Sequence, residues 1–344
     1  MSVTLAPQTL APYIRTVIAG GDLSEREAFD AVASIMQAQA TQAQVAALLA
    51  GLALKGETAD ELAGAAAALR EQCVRLSSER TPLLDVCGTG GDSAGTFNIS
   101  TATAFVVAGA GIAVAKHGNR AMSSRCGSAD VLEALGLNLW MAPNRAAAAL
   151  DEIGIAFLFA QHYHPALRHI AGVRREIGVR TLFNLIGPLA NPARPTHQIV
   201  GIGNAHLLPA TAAALRHLGL ARGAVLHARD GLDEVSLSAP TDVIEWDGRG
   251  ERTYTIDPQE LGFARGDARD VAGADAAANA LTLLEVLNGT PGTPRDIVVL
   301  NAALALHLCD RAGSLPEAMT LAQTAIDSGA AFAKLEALIR ASNE

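Results

Sequence analysis

The sequence predicts an α/β protein built in two parts: a small all-helical domain, then a large α/β domain around a mostly parallel central sheet. Three observations carry this. Up to residue 76 the apolar positions recur at helical spacing, with no strand-like run. From Thr81-Pro82 onward, short apolar runs alternate with helical stretches, the pattern of parallel strands with helices on their faces. A length of 344 residues also suits about two domains with a substantial core.

In the first part, Pro12–Ala19, Ser24–Gln37, Thr41–Leu54 and Thr58–Leu76 are expected helices. Ser24 precedes Glu27, and Thr58 precedes Glu61, at capping-box spacing. In the second part, strands are expected at Leu83–Cys87, Ile112–Ala115, Ile155–Phe159, Gln198–Ile202, Ala224–His227 and Ile297–Leu300. The helices between them are Ser100–Ala108, Asp130–Leu135, Ala146–Ile153 and Pro209–Leu218. Two stretches break the alternation. Pro165–Leu185 reads as two short helices returning to the helical part. Leu237–Leu261 has polar alternation around Gly248-Arg249-Gly250, an antiparallel hairpin signal. The domain expectation is therefore 1–76 helical, joined by about 165–187, with 77–164 and 188–344 forming the α/β domain.

Composition excludes several classes. Charged residues are 18% and apolar residues 50%, which argues against disorder. A net charge of −9 and 4% aromatic residues argue against a nucleic-acid groove or stacking platform. Four scattered cysteines without a Cys-x-x-Cys pair argue against a disulfide framework or thiolate zinc site. The N-terminal stretch lacks a cationic start followed by an apolar core. The longest apolar run, about Ala102–Ala115, is shorter than the ~20 residues of a membrane span. The expectation is a cytoplasmic protein with no membrane or nucleic-acid partner.

Four segments concentrate chemistry. In Asp85–Thr101 a strand runs through glycines into a helix opening at Ser100-Thr101. Such a loop lets backbone N–H groups approach an anion, and the helix start adds a positive dipole end. It lacks the lysine of a Walker A loop and the third glycine of a dinucleotide fingerprint. Lys116–Ser128 then gathers three cations, an imidazole, an asparagine and three serines after the next strand. Both loops should lie at one carboxyl edge of the sheet, as a polyanion site. In the third segment, His162, His164 and His169 accompany Arg174. With no nearby acid, zinc is the weaker reading; arginine with histidine suits a carboxylate. Arg175 and Arg180 are read as a solvated face. Finally, Asp230-Gly-Leu-Asp233-Glu234 is an acidic turn after a strand, suited to Mg²⁺ opposite a polyphosphate.

Taken in order, the motifs Cys87–Thr101, Lys116–Gly136, Phe157–Leu167, Val173–Pro192 and Asp230–Ser236 resemble those of the anthranilate phosphoribosyltransferases of tryptophan biosynthesis. The resemblance covers nearly the whole chain. It implies a nucleoside-phosphorylase-like fold whose helical domain forms a homodimer contact. It also implies transfer of the phosphoribosyl group of phosphoribosyl pyrophosphate (PRPP) to the amine of anthranilate, with Mg²⁺. Carried over by motif, Gly88, Gly91, Asp92, Thr96, Asn98, Ile99, Ser100 and Thr101 would contact PRPP. So would Lys116, His117, Gly118, Asn119, Arg120, Ala121, Met122, Ser123, Ser124 and Ser128. Gly88, Asn119 and Arg174 would touch anthranilate, and Ser100, Asp233 and Glu234 would hold the metal. No catalytic side chain is certain; His117 is the candidate for removing the later proton. Three departures stand out: Cys126 where serine is common, Gly172 where proline is frequent, and Ala228 where glycine often follows histidine. Of these, Ala228 bears on the approach to Asp233.

Overall fold

The computed structural model describes residues 9–90, 94–121 and 125–344. Contacts divide the chain into two compact units. One gathers the described residues up to Val74 with Gln161–Ala190 and Pro209–Gly219; the other holds Arg75–Ala160, Asn191–Leu208 and Leu220–Glu344.

The helical unit opens with α1 (Ala11–Ile18), α2 (Glu25–Met36), α3 (Gln42–Lys55) and α4 (Ala59–Glu71). Both capping boxes form: Ser24 with Glu27, and Thr58 with Glu61. Glu61 does more than cap. It is fully buried, accepts the Leu23 N–H at 2.9 Å and pairs with Lys55 at 3.0 Å.

The α/β unit contains β1 (Leu83–Gly88), α5 (Ile99–Gly109), β2 (Ala113–Gly118), α6 (Ser128–Ala134), α7 (Pro143–Glu152) and β3 (Ile155–Phe159). The chain then passes through α8 (Ala160–Tyr163), α9 (Ala171–Ile177) and α10 (Leu182–Leu185). Of these, α9 and α10 pack against α3, and α10 also against α4. Next come β4 (His197–Gly201), α11 (Leu208–His217), β5 (Arg222–Ala228), and the hairpin of β6 (Thr241–Asp247) and β7 (Gly250–Ile256). Four helices close the chain: α12 (Ala276–Leu287), α13 (Thr293–Leu308), α14 (Leu315–Asp327) and α15 (Ala330–Asn343).

The seven strands lie in the order β3-β2-β1-β4-β5-β6-β7, the first five parallel and the last two antiparallel. From β1 the chain winds outward through β2 and β3, then returns to place β4 on β1's other side. The winding thus reverses between β1 and β4, where open α/β sheets leave a crevice at the strands' carboxyl ends. α5, buried along nearly its whole length, packs against α12 to α15.

One strand expectation is wrong. Ile297–Leu300 lies inside α13, which is buried around its circumference from Ile297 to Leu306. A four-residue apolar run has the same appearance in a fully buried helix as in a buried strand. The other C-terminal helices are likewise not delineated by the sequence pattern. A smaller correction concerns β2: it continues to Gly118, so Lys116 and His117 are strand residues rather than loop residues. Among the described residues, no helix is long and apolar enough to cross a membrane.

Candidate active site

β1 and β4 end side by side, with Gly88 paired to Gly201. Asp233, from the loop after β5, presses into this junction. A Cβ at Gly201 would lie 1.6 Å from the Asp233 carbonyl oxygen, and one at Gly88 would lie 2.3 Å from its Oδ2. Glycine at both positions is therefore a packing requirement. Oδ2 also accepts the Gly90 N–H at 2.7 Å, so a donor of the glycine-rich loop already faces a carboxylate of the chain itself. Glu234 is half-buried beside it. The turn upstream is held by Ala228 N–H to Leu232 O (3.0 Å) and Gly231 N–H to Ala228 O (2.8 Å). Ala228 takes no left-handed conformation there, so its departure from glycine leaves the turn intact.

The two anion loops are tied together. Asn98 caps α5 by position only; its side chain turns aside. Its Nδ2 donates to Cys126 O at 3.2 Å, while its Oδ1 accepts from Asn279 Nδ2 at 3.1 Å and the Cys126 thiol at 3.5 Å. Cys126 thus makes the weak bond a serine hydroxyl would make, and burial pushes its thiol up to about 11. Thr96 bridges Ala272, Ile99 and Thr101 are buried, and Ser100 is half-buried at the helix start.

Lys116 is buried on β2 and donates from Nζ to Val86 O at 2.7 Å and Ser100 Oγ at 3.1 Å. Next to it, the His117 backbone N–H donates to Asp85 Oδ1 at 3.2 Å, and its ring is buried. Asp85 is fully buried; its Oδ2 also accepts from Asn191 Nδ2 (2.8 Å) and Gln198 Nε2 (3.2 Å). Burial raises its carboxyl to about 6, against the opposing pull of the Lys116 charge and these donors. A polar knot thus holds β1, β2 and β4 beneath the crevice.

Arg120 is held by contacts within the chain. Its guanidinium pairs with both oxygens of Glu133 at 2.7 and 2.9 Å and with Asp130 at 3.0 Å, and it lies 5.7 Å over the Phe159 ring. Asp130 in turn accepts the N–H groups of Ala121 and Gly127, both at 2.9 Å. Asn119 offers its carbonyl to Ala129 N–H (3.1 Å) and Ser128 Oγ (3.4 Å), closing the loop from Gly118 onto α6. Five of the expected site residues, Gly91, Asp92, Met122, Ser123 and Ser124, lie outside the described residues.

In the helical unit, Arg174 on α9 is half-buried, with its guanidinium 5.9 Å over the Phe183 ring. Desolvation lowers its pKa, and among the described residues it has no ion-pair partner. That marks it as a cation suited to an incoming anion. Arg175 and Arg180 are exposed, as expected. The three histidines do not form a metal cluster. Among the described residues, the only suitably close group is Glu25, Asp60 and His217, all exposed. A Cβ at Gly172 would meet nothing within 4 Å.

Residues 11–73 match the helical bundle domain of a glycosyl transferase family, and residues 80–332 match its α/β domain. The anthranilate phosphoribosyltransferase of Moorella thermoacetica is 50% identical over 96% of this chain and 97% of its own. The chain belongs to the anthranilate phosphoribosyltransferase family. The family's crystal structure from Thermus thermophilus superposes with a TM-score of 0.90 at 41% identity, covering 96% of this chain and 99% of that one. The Saccharomyces cerevisiae enzyme in complex with PRPP and Mg has a TM-score of 0.88 at 26% identity, over 97% of this chain and 98% of its own. It has also been solved with 4-fluoroanthranilate.

Within this family member, sequence reasoning missed Asp85, Asn191 and Gln198. A signal existed for Asp85: one carboxylate inside Leu83–Cys87, a run otherwise read as a buried strand. Asn191 and Gln198 carried none: pairing of β1 with β4 sets Gln198 opposite Asp85, and the segment before β4 brings Asn191 to it.

Proposed function

We propose that this protein transfers the 5-phosphoribosyl group of PRPP to the amine of anthranilate, giving N-(5-phosphoribosyl)anthranilate and pyrophosphate, in tryptophan biosynthesis. The observation that carries this reading is the Asp233 carboxylate at the β1–β4 crevice, against Gly88 and the Gly90 N–H. A nucleoside phosphorylase of similar fold would use inorganic phosphate, and an acidic pair beside the anion loop would only repel it. With PRPP the same pair has a purpose. The donors there are hard oxygens, which fit Mg²⁺; Asp233 and Glu234 would hold it. Ser100, whose Oγ also accepts from the Lys116 ammonium, would be a third oxygen donor to it. Bound Mg²⁺ supplies neutralisation of the charge gathering on departing pyrophosphate.

The rest falls to the chain. The β1–α5 and β2–α6 loops position the phosphates, with Lys116 fixing Ser100 and Val86 so that α5 starts at a set distance from β1. Arg174 takes the carboxylate of anthranilate and so orients its amine. The bond from the sugar carbon to the pyrophosphate oxygen breaks and one to the amine nitrogen forms, through a cationic sugar. An aromatic amine is uncharged at neutral pH and attacks without prior deprotonation. His117 is the candidate acceptor for the proton lost afterwards.

The helical unit also carries exposed Ile18, Leu54 (91% exposed) and Val179, apolar surface that supports a two-fold dimer contact. Four cysteine thiols without a disulfide support a reducing, cytoplasmic setting. Mixing protein, Mg²⁺, PRPP and anthranilate should extinguish anthranilate fluorescence. A flat trace from folded protein would overturn the assignment.

A further inference from the structure

Between Ile297 and Leu306, α13 is buried and apolar except at Asn301, which is 5% exposed. A side-chain amide in such surroundings is unfavourable unless its bonds are made. Asn301 makes three. Its Oδ1 accepts the Val235 N–H at 2.9 Å, and its Nδ2 donates to Val235 O at 2.9 Å and to Ile297 O at 2.8 Å. The amide therefore pairs with both backbone groups of one loop residue, as a neighbouring strand would. That residue directly follows Asp233-Glu234. On the other side of the acidic pair, Leu232 is held at both its backbone groups: its carbonyl accepts the Ala228 N–H, and its own N–H donates to Asp230 Oδ1 at 3.3 Å. Beyond Val235, Ser236 is held by Thr241 and Asp230. The acidic pair is thus suspended between two flanking pinned residues, and one of the two pins comes from a helix remote in sequence.

We infer that Asn301 is a positioning residue for the Asp233–Glu234 pair. By fixing the Val235 main chain, it keeps the Asp233 carbonyl against Gly201 and the carboxylate at Gly88 and Gly90. The inference deepens the proposed function and rests on it, since that reading assigns Mg²⁺ and pyrophosphate to the pair. A residue that merely fills the core would affect stability alone. A positioning residue would also alter how tightly the pair holds its ligand.

The variant N301S separates the two roles. A helical serine hydroxyl can bond to the carbonyl four residues back, which keeps the Ile297 contact, but it is too short to serve both Val235 groups. The comparison is L304A, which removes a buried side chain from the same helix. N301S should raise the Mg²⁺ concentration for half-maximal rate roughly tenfold or more, as when a partner behind a metal ligand is lost. Calorimetry without anthranilate should show Mg²⁺-dependent PRPP binding weakened in proportion, while the anthranilate KM stays within about twofold of wild type. L304A should lower the melting temperature and leave the Mg²⁺ response in place. Should N301S not fold, N301Q shifts the amide by one methylene and carries the same expectations. An unaltered Mg²⁺ response in the folded Asn301 variant, or an equal shift in L304A, would overturn the role of Asn301. Wild-type protein without turnover would instead overturn the proposed function.

Discussion

The carboxylate of Asp233 occupies the space a side chain at Gly88 would need, 2.3 Å from Oδ2 to the position of a Cβ. The two residues are far apart in sequence, one ending β1 and the other in the loop after β5, yet neither can change without the other. The glycine at the end of β1 makes room for the chain's own carboxylate, and the Gly90 N–H then receives it.

Replacing Gly88 by alanine should therefore displace Asp233. Forced overpacking of this kind costs about 1–3 kcal/mol. Placing G88A in a D233A background removes the obstructing atoms, so the same substitution should cost clearly less there. Denaturant titration of the four proteins gives the coupling. Equal costs in the two backgrounds would disprove the contact.

Neutralising the acidic pair should have opposite effects on binding and turnover. D233N with E234Q removes two negative charges and preserves shape, so PRPP without metal should bind as well or better by Coulomb attraction. The rate should fall sharply, and its Mg²⁺ dependence should weaken, because the departing charge loses its neutralisation. Melting should change little. Normal kcat with an unchanged Mg²⁺ requirement would make the turn ordinary surface.

For Arg174→Ala, anthranilate should suffer far more than PRPP. The guanidinium is partly desolvated and has no acidic partner among the described residues. Losing a charged hydrogen-bond partner costs roughly 1.5–3 kcal/mol, or about ten- to over a hundredfold in anthranilate KM. A raised PRPP KM beside an unchanged anthranilate KM would reverse the assignment.

Acid should act oppositely on two buried groups. Burial raises Asp85 from 3.8 to about 6, so the folded state holds the extra proton, and this group's contribution is lost as pH rises through that window. Burial lowers His164 from 6.5 to about 4, opposed by hydrogen bonds to the backbone of Ala190 and Leu69. Its contribution is present above pH 6.5 and lost as pH falls towards 4. Across pH 4.5–6.5, D85N should therefore lose stability on acidification more steeply than wild type, and H164Q less steeply. A tenfold difference in proton affinity between folded and unfolded chains corresponds to about 1.4 kcal/mol. Three parallel stability curves would refute both assignments.

What the sequence settles here is local. Capping boxes at Ser24 and Thr58, the strand over Leu83–Cys87 and the Gly248-Arg249-Gly250 turn depend on residues within a few positions, and each forms where the pattern puts it. The motifs were long enough to declare the family. Periodicity failed at Ile297–Leu300, because burial on all sides erases the difference between the two repeats. Contacts between distant segments were decided only by the tertiary structure. Arg120 gives the same basic signal in sequence as Arg174, but two carboxylates on α6 neutralise it. Asp85 reads as an anomaly in a strand until β2, β4 and the segment before β4 bring it the His117 N–H, Gln198 and Asn191. Asn301 reads as a flaw in an apolar helix until Val235 meets it. The physical reason is common to all three: a buried polar group is tolerated only where partners satisfy it, and those partners are supplied by packing, not by neighbours along the chain.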